Sequence, residues 1–180
     1  NKKMLTLAGS EDLENKYYAL PTECLLALHN YQINDAIFAP EKYQISKSQL
    51  EKIFEGQSIS VNNRYLLQWT KDIINEEGNR ICIPRKYMQP ASDETISSSD
   101  RVTRKQVIPL IRLSEIYLIA METTSSLEEA NQLYTEYMLA RNVVVQREME
   151  KEELEIEIER EYRREFFAEG QMFFFYKRHG

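Results

Sequence analysis

The stretch from Glu148 to Glu169 most constrains how this chain folds. Leu154, Ile158, Tyr162 and Phe166 stand four residues apart, the step that brings side chains onto one face of an α-helix. Glu161, Glu165 and Glu169 repeat with the same step. Lys151/Glu155 and Glu159/Arg163 are opposite charges at i, i+4, each worth a few tenths of a kcal/mol in a helix. Taken alone, Glu153 to Glu159 alternates with period two, as an exposed strand does. The four-residue step carried on to Phe166 favours helix.

Upstream, apolar residues at Leu110, Leu113, Tyr117 and Ala120, with Ile116 and Met121 alongside, describe a helical face over 110–121. Pro109 suits its first turn, where a missing N–H costs nothing. Ser126 and Glu129 form an S-x-x-E capping signature. The helix it announces presents Leu127, Ala130, Leu133, Tyr137 and Ala140 and ends near Asn142. The short polar link Thr123-Thr124-Ser125 makes the two a helical hairpin of the tetratricopeptide-like kind, although one hairpin shows no repeat.

Residues 1–106 read differently. Leu20-Pro21, Ala39-Pro40, Glu55-Gly56, Glu77-Gly78-Asn79 and Gln89-Pro90 punctuate short apolar runs. Cys24 to Leu28 fits a strand or a buried helical turn. Ser48 to Phe54 and Tyr65 to Ile74 are expected as short helices, and the polar run Ala91 to Arg104 as a loop. Phe173 to Tyr176 is expected in the core, because four exposed aromatics in a row are an aggregation liability.

Composition narrows the function. The 180 residues carry 23 Lys and Arg against 29 Asp and Glu, a net charge of −6, the wrong sign for a nucleic-acid footprint. No run matches a membrane span. Asn1 to Leu5 lacks a signal peptide's apolar region, and the sequence is taken as a trimmed or mature segment. Cys24 and Cys82 lack CxxC spacing, and with only His29 and His179 beside them no zinc ligand set forms. Two buried thiols or one disulfide both satisfy the sequence. No phosphate-cradling glycine loop is present. Glu152/Glu153 and Glu157/Glu161 sit in a run of glutamates that reads as a solvated helix face. No nucleophile arrangement accompanies His29. Neither catalysis nor a cofactor is expected.

The 11 Tyr, seven Phe and one Trp are more informative. Aromatic faces stack on the C–H faces of sugars, while Asn, Gln and Asp bond their hydroxyls. Asn30-Tyr31-Gln32 and Tyr65 to Trp69 have that composition, so Tyr31, Tyr65 and Trp69 are the ligand-contact candidates. The competing reading buries these rings in the core with polar tips outward.

Ile108-Pro109-Leu110-Ile111-Arg112-Leu113-Ser114-Glu115-Ile116-Tyr117-Leu118 resembles the "IPLIRLAEVYL" signature of the SusD/RagB family. Glu161 to Gly170 resembles that family's "ERRRELAFEG", and Lys177-Arg178-His179-Gly180 its "KRWG". Weaker similarity links Glu23 to Leu28 with "ESIFAL" and Arg85-Lys86-Tyr87 with "KKY". Against the pattern, Tyr162 and Met172 stand where Arg is usual, Phe175 where Asp is usual, and the aromatic before the final glycine is missing.

The resemblance implies that residues 1–180 are the C-terminal part of a SusD-like domain. It would be mainly α, with a loop-rich segment 1–106 and a helical motif region 107–180 made of the hairpin and a long C-terminal helix. It implies a surface-exposed outer-membrane lipoprotein, its lipid anchor outside this chain. Such a protein captures a nutrient, most often an oligosaccharide, and passes it to a SusC-like TonB-dependent transporter. The motif residues Arg112, Glu115, Glu161, Glu165, Glu169 and Gly170 would be scaffold, with Arg112 pairing one of the carboxylates and locking the last helix onto the hairpin. The ligand site would come from variable loops. The alternative is a helical scaffold that mediates only protein–protein contacts. An acidic coiled-coil partner lacks a sustained heptad.

Overall fold

The computed structural model describes residues 24–29, 43–84 and 107–180. Two small antiparallel sheets accompany a set of helices. β1 (Cys24–His29) pairs with β5 (Val107–Arg112), Ala27 facing Pro109 and Leu28 facing Ile108. The central strand of the other sheet is β4 (Arg80–Pro84), flanked by β2 (Ile45–Ser46) and β3 (Trp69–Ile74). The β3–β4 turn is held by Asn75, whose side-chain oxygen accepts from the amides of Glu77 and Asn79, with Gly78 at φ +81°.

Between β2 and β3 lie α1 (Lys47–Ile53) and α2 (Asn63–Leu67). Ser46 and Gln49 close a reciprocal capping box on α1, and Asn62 caps α2. The larger part follows β5: α3 (Leu113–Thr123), α4 (Leu127–Leu139), α5 (Lys151–Glu165) and α6 (Gln171–His179). The fold is mainly α.

Four local expectations are corrected. Residues 107–112 are strand rather than the start of a helix. Val107, Ile108 and Ile111 are β-branched, and Pro109 disfavours helical geometry at Ile108; β5 has β1 as its partner strand, so a proline is tolerated there. Tyr65 to Ile74 divides into the end of α2 and β3, where β-branched Thr70, Ile73 and Ile74 take over. The segment expected to be loop-rich thus contains a three-stranded sheet. Phe173 to Tyr176 is not all core: Phe175 is buried, while Phe173 is 66% and Phe174 56% exposed. At about 100° per residue, four successive helical positions point in four directions, and one faces inward. Cys24 to Leu28 is strand. The loop expected at Ala91 to Arg104 lies outside the described residues.

The helical hairpin is α3 with α4. Ser126 Oγ accepts the Glu129 amide at 3.2 Å, but the Glu129 carboxylate takes the Thr124 hydroxyl instead of closing a box. The main core joins Leu118, Met121, Tyr137 and Met138 of the hairpin to Leu154, Ile158, Tyr162 and Phe166 of α5. All four residues of that α5 stripe are buried. A second core holds Leu50, Phe54, Tyr65, Trp69 and Cys82. The two cores meet at α5 and the turn after it, where Trp69 packs on Phe167 with ring centroids 5.0 Å apart.

Candidate functional site

Residues Leu154, Ile158, Tyr162 and Phe166 press α5 onto the hairpin. Beside the C-terminal part of that stripe Glu161, Arg164 and Glu165 also turn inward, each no more than 2% exposed. Carboxylates so buried need partners, and four arginines from four places in the chain provide them.

Arg112, at the end of β5, donates through Nη1 to Glu165 Oε1 at 2.9 Å and grips Glu169 through Nε and Nη2 at 3.1 and 3.0 Å. Its Nη2 also reaches the Glu165 carbonyl at 3.1 Å, and its guanidinium lies over the Phe166 ring. Arg141, just past α4, places Nε and Nη2 each 3.1 Å from Glu165 Oε2 and rests on the Tyr137 ring, 3.4 Å from its centroid. Arg64 of α2 donates through Nη1 to Glu161 at 2.6 Å and to Glu165 at 3.2 Å. Arg164 bonds Glu161 at 2.7 Å and uses its other nitrogens on the carbonyls of Ile53 and Glu55, at 3.0 and 2.7 Å. Tyr137 Oη and Gln57 donate to Glu165 and Glu161 respectively.

Burial pushes the Glu165 carboxyl up, but Arg141, Arg112 and Arg64 together hold it well below the usual range. Glu161 is lowered on the same balance, by Arg64 and Arg164 against burial. Glu115, half-buried on α3, goes the other way: desolvation raises it more than Arg112 and Arg178 lower it.

The result is a lattice of buried ion pairs that ties α5 to the hairpin, to β5 and to the sheet region. Gly170 sets the chain reversal that follows it, at φ +81°, where a side chain would be strained. The sequence points to the three glutamates through their spacing and to Arg112 through the motif that contains it. Arg64, Arg141 and Arg164 carry no such signal: each is an ordinary charged residue until the chain is folded, and Arg64 lies 97 residues from Glu161.

The aromatic candidates fall elsewhere. Trp69 is 3% and Tyr65 6% exposed, both in the second core, Tyr65 edge-on to Phe54. The packing role set beside the stacking one for these rings is the one their burial matches. Tyr31 lies outside the described residues.

The surface also carries a cleft of about 660 Å³ where the ends of α3 and α6 meet the beginnings of α4 and α5. Its floor is apolar. Tyr176 forms one wall, its hydroxyl held by Arg163 and Glu159.

A helix pair is thus closed by a charged third helix through buried arginine–glutamate pairs drawn from the Arg112 and Glu161–Gly170 motifs. The SusD family model matches residues 41–180, and the chain belongs to the SusD family. Proteins of that family bind glycans or other nutrients at the outer membrane and are not enzymes. No curated protein and no solved structure matches the chain. Among the described residues, no helix is long and apolar enough to cross a membrane.

Proposed function

We propose that this chain is part of a cell-surface nutrient-binding protein that captures an oligosaccharide and delivers it to a SusC-like TonB-dependent transporter. Family membership over residues 41–180 is the observation that carries this reading. The buried lattice supports it: so many fixed ion pairs make a rigid frame, on which adaptable loops can present ligand contacts. Attachment to the outer membrane is through a lipid anchor. Tyr31 is the aromatic candidate for stacking on sugar, while Trp69 and Tyr65, buried in the second core, belong to the frame.

Calorimetric titration with neutral plant and host oligosaccharides tests the ligand. Saturable heat that Tyr31→Ala weakens supports capture, and silence across such a panel refutes it. Co-purification of a TonB-dependent transporter from outer membranes tests the partner. Silence with sugars together with transporter capture leaves the contact-only scaffold, a reading favoured by the exposed Phe173 and Phe174.

A further inference from the structure

The cleft between the helix ends combines two properties, of which the first does not suit a sugar. Its floor is aliphatic and thioether surface from Met121, Leu127, Ala130, Leu154 and Ile158, closed at one end by Phe175. Sugar hydroxyls placed there find no partners on the floor and would be desolvated at a cost. Apolar side chains, in contrast, gain from every square ångström removed from water. The apolar surface extends over the lip: Ile156 and Leu127 line the cleft yet are 53% and 39% exposed.

The second property is charge. Carboxylates Glu122, Glu155 and Glu159 line the rim against the ammonium of Lys151, with Tyr176 and His179 the other titratable side chains. Arg178 lies 3.2 Å from Glu122 and Arg163 2.5 Å from Glu159, while Lys151 makes only a 3.9 Å approach to Glu155. Of the elements that form the mouth, the end of α6 adds the cations Lys177 and Arg178, while the starts of α4 and α5 add a larger number of acids. Glu128 and Glu129 sit in the first turn of α4, and Glu150, Glu152 and Glu153 at the start of α5, of which Glu153 is paired with Arg147. An apolar trough inside an acidic mouth is complementary to a helix that carries apolar residues on one face and Lys or Arg beside them.

We propose that this cleft is a docking site for a basic amphipathic helix of a partner protein. Two or three apolar side chains of that helix fill the trough and its cations meet the glutamates. The wall is ready beforehand, because Tyr176 is fixed through Arg163 and Glu159 and the His179 ring lies against Phe175, with centroids 4.4 Å apart. The inference does not depend on oligosaccharide capture.

The probe is a synthetic helical peptide of about 18 residues, roughly 27 Å long, with leucines on one face and lysines on the other. A peptide with glutamates in place of the lysines is the control. Binding to the whole chain is read by fluorescence anisotropy at low and high salt. The lysine peptide is expected to bind, to weaken as salt rises, and to lose about tenfold or more in affinity to Ile156→Lys and to Glu155→Lys. Both substitutions are at exposed positions, and circular dichroism checks that they leave the fold intact. Equal binding of the two peptides, or equal affinity of wild type and Ile156→Lys, overturns the proposal. So does displacement of the peptide by a neutral oligosaccharide, which would give the cleft to the nutrient.

Discussion

Glu165→Gln keeps the shape of the side chain at the centre of the lattice and removes its charge. Glu165 faces Arg112 at 2.9 Å, Arg141 at 3.1 Å and Arg64 at 3.2 Å, and is 1% exposed. At an effective dielectric of about 20, each such approach is a Coulomb attraction of about 5 kcal/mol. Desolvating each ion offsets several kcal/mol of that. The intact lattice is therefore worth much less than the sum of its pairs. Losing the anion alone is costly, because Arg141 is left buried without the carboxylate that faces it and the new amide turns an N–H toward guanidinium. The expected loss is about 3–5 kcal/mol, a large share of the ~5–15 kcal/mol that holds a typical domain. With an m-value of about 2 kcal/mol/M, the urea midpoint falls by about 2 M. Lys151→Ala, at an exposed pair, should cost less than about 1 kcal/mol. Adding Arg141→Met to Glu165→Gln should recover part of the loss, since the stranded cation goes too. A Glu165→Gln midpoint within ~0.5 M of wild type would refute the claim that these charges are locked in the interior.

The same carboxylate sets an acid limit. Its folded pKa is depressed, so its stabilisation is complete above the unfolded value of about 4.3 and disappears as pH falls through the folded value; unfolding followed from pH 7 downward should therefore begin below about pH 4. Trp69→Ala should open a cavity against Phe167 and cost about 3–5 kcal/mol in a thermal melt, whereas an unchanged melting temperature would place that ring outside the core. Gly170→Ala meets no atom within 4 Å but must adopt φ +81°, and denaturant titration should show a loss of about 1–2 kcal/mol from backbone strain alone. Ser126→Ala removes the bond to the Glu129 amide and should lower stability by about 1 kcal/mol, read the same way.

The helical half was legible because its signals are local and repeated. Leu154, Ile158, Tyr162 and Phe166 needed only the helical step to be recognised as an inward stripe, and Ser126 marked the start of α4. Val107 to Arg112 was not, since an apolar run of that length fits either period and Pro109 is compatible with a strand edge as well as a first helical turn. The four consecutive aromatics misled for a related reason: composition suggested burial, but the geometry of α6 allows it for Phe175 and not for Phe173 or Phe174. Arg64, Arg141 and Arg164 were illegible in principle. Their role is defined by partners far away in the chain, and nothing near them in sequence separates an arginine that will be 1% exposed from one in water. The cleft is of the same kind, assembled from the ends of four helices.

Two departures from the family pattern, Tyr162 and Phe175, meet once the chain is folded. The usual Arg is Tyr162 here and the usual Asp is Phe175, and these rings pack with centroids 4.8 Å apart, 1% and 5% exposed. A charge introduced at either of these buried positions would lie without a counter-charge in the core, at a cost of about 3–5 kcal/mol. Arg178 then caps the arrangement, donating to the Tyr162 hydroxyl at 3.3 Å while pairing with Glu122. The lattice around Glu161, Glu165 and Glu169 takes no part in this aromatic pair. Phe175 also lines the cleft, and a carboxylate in its place would keep that part of the cleft wet.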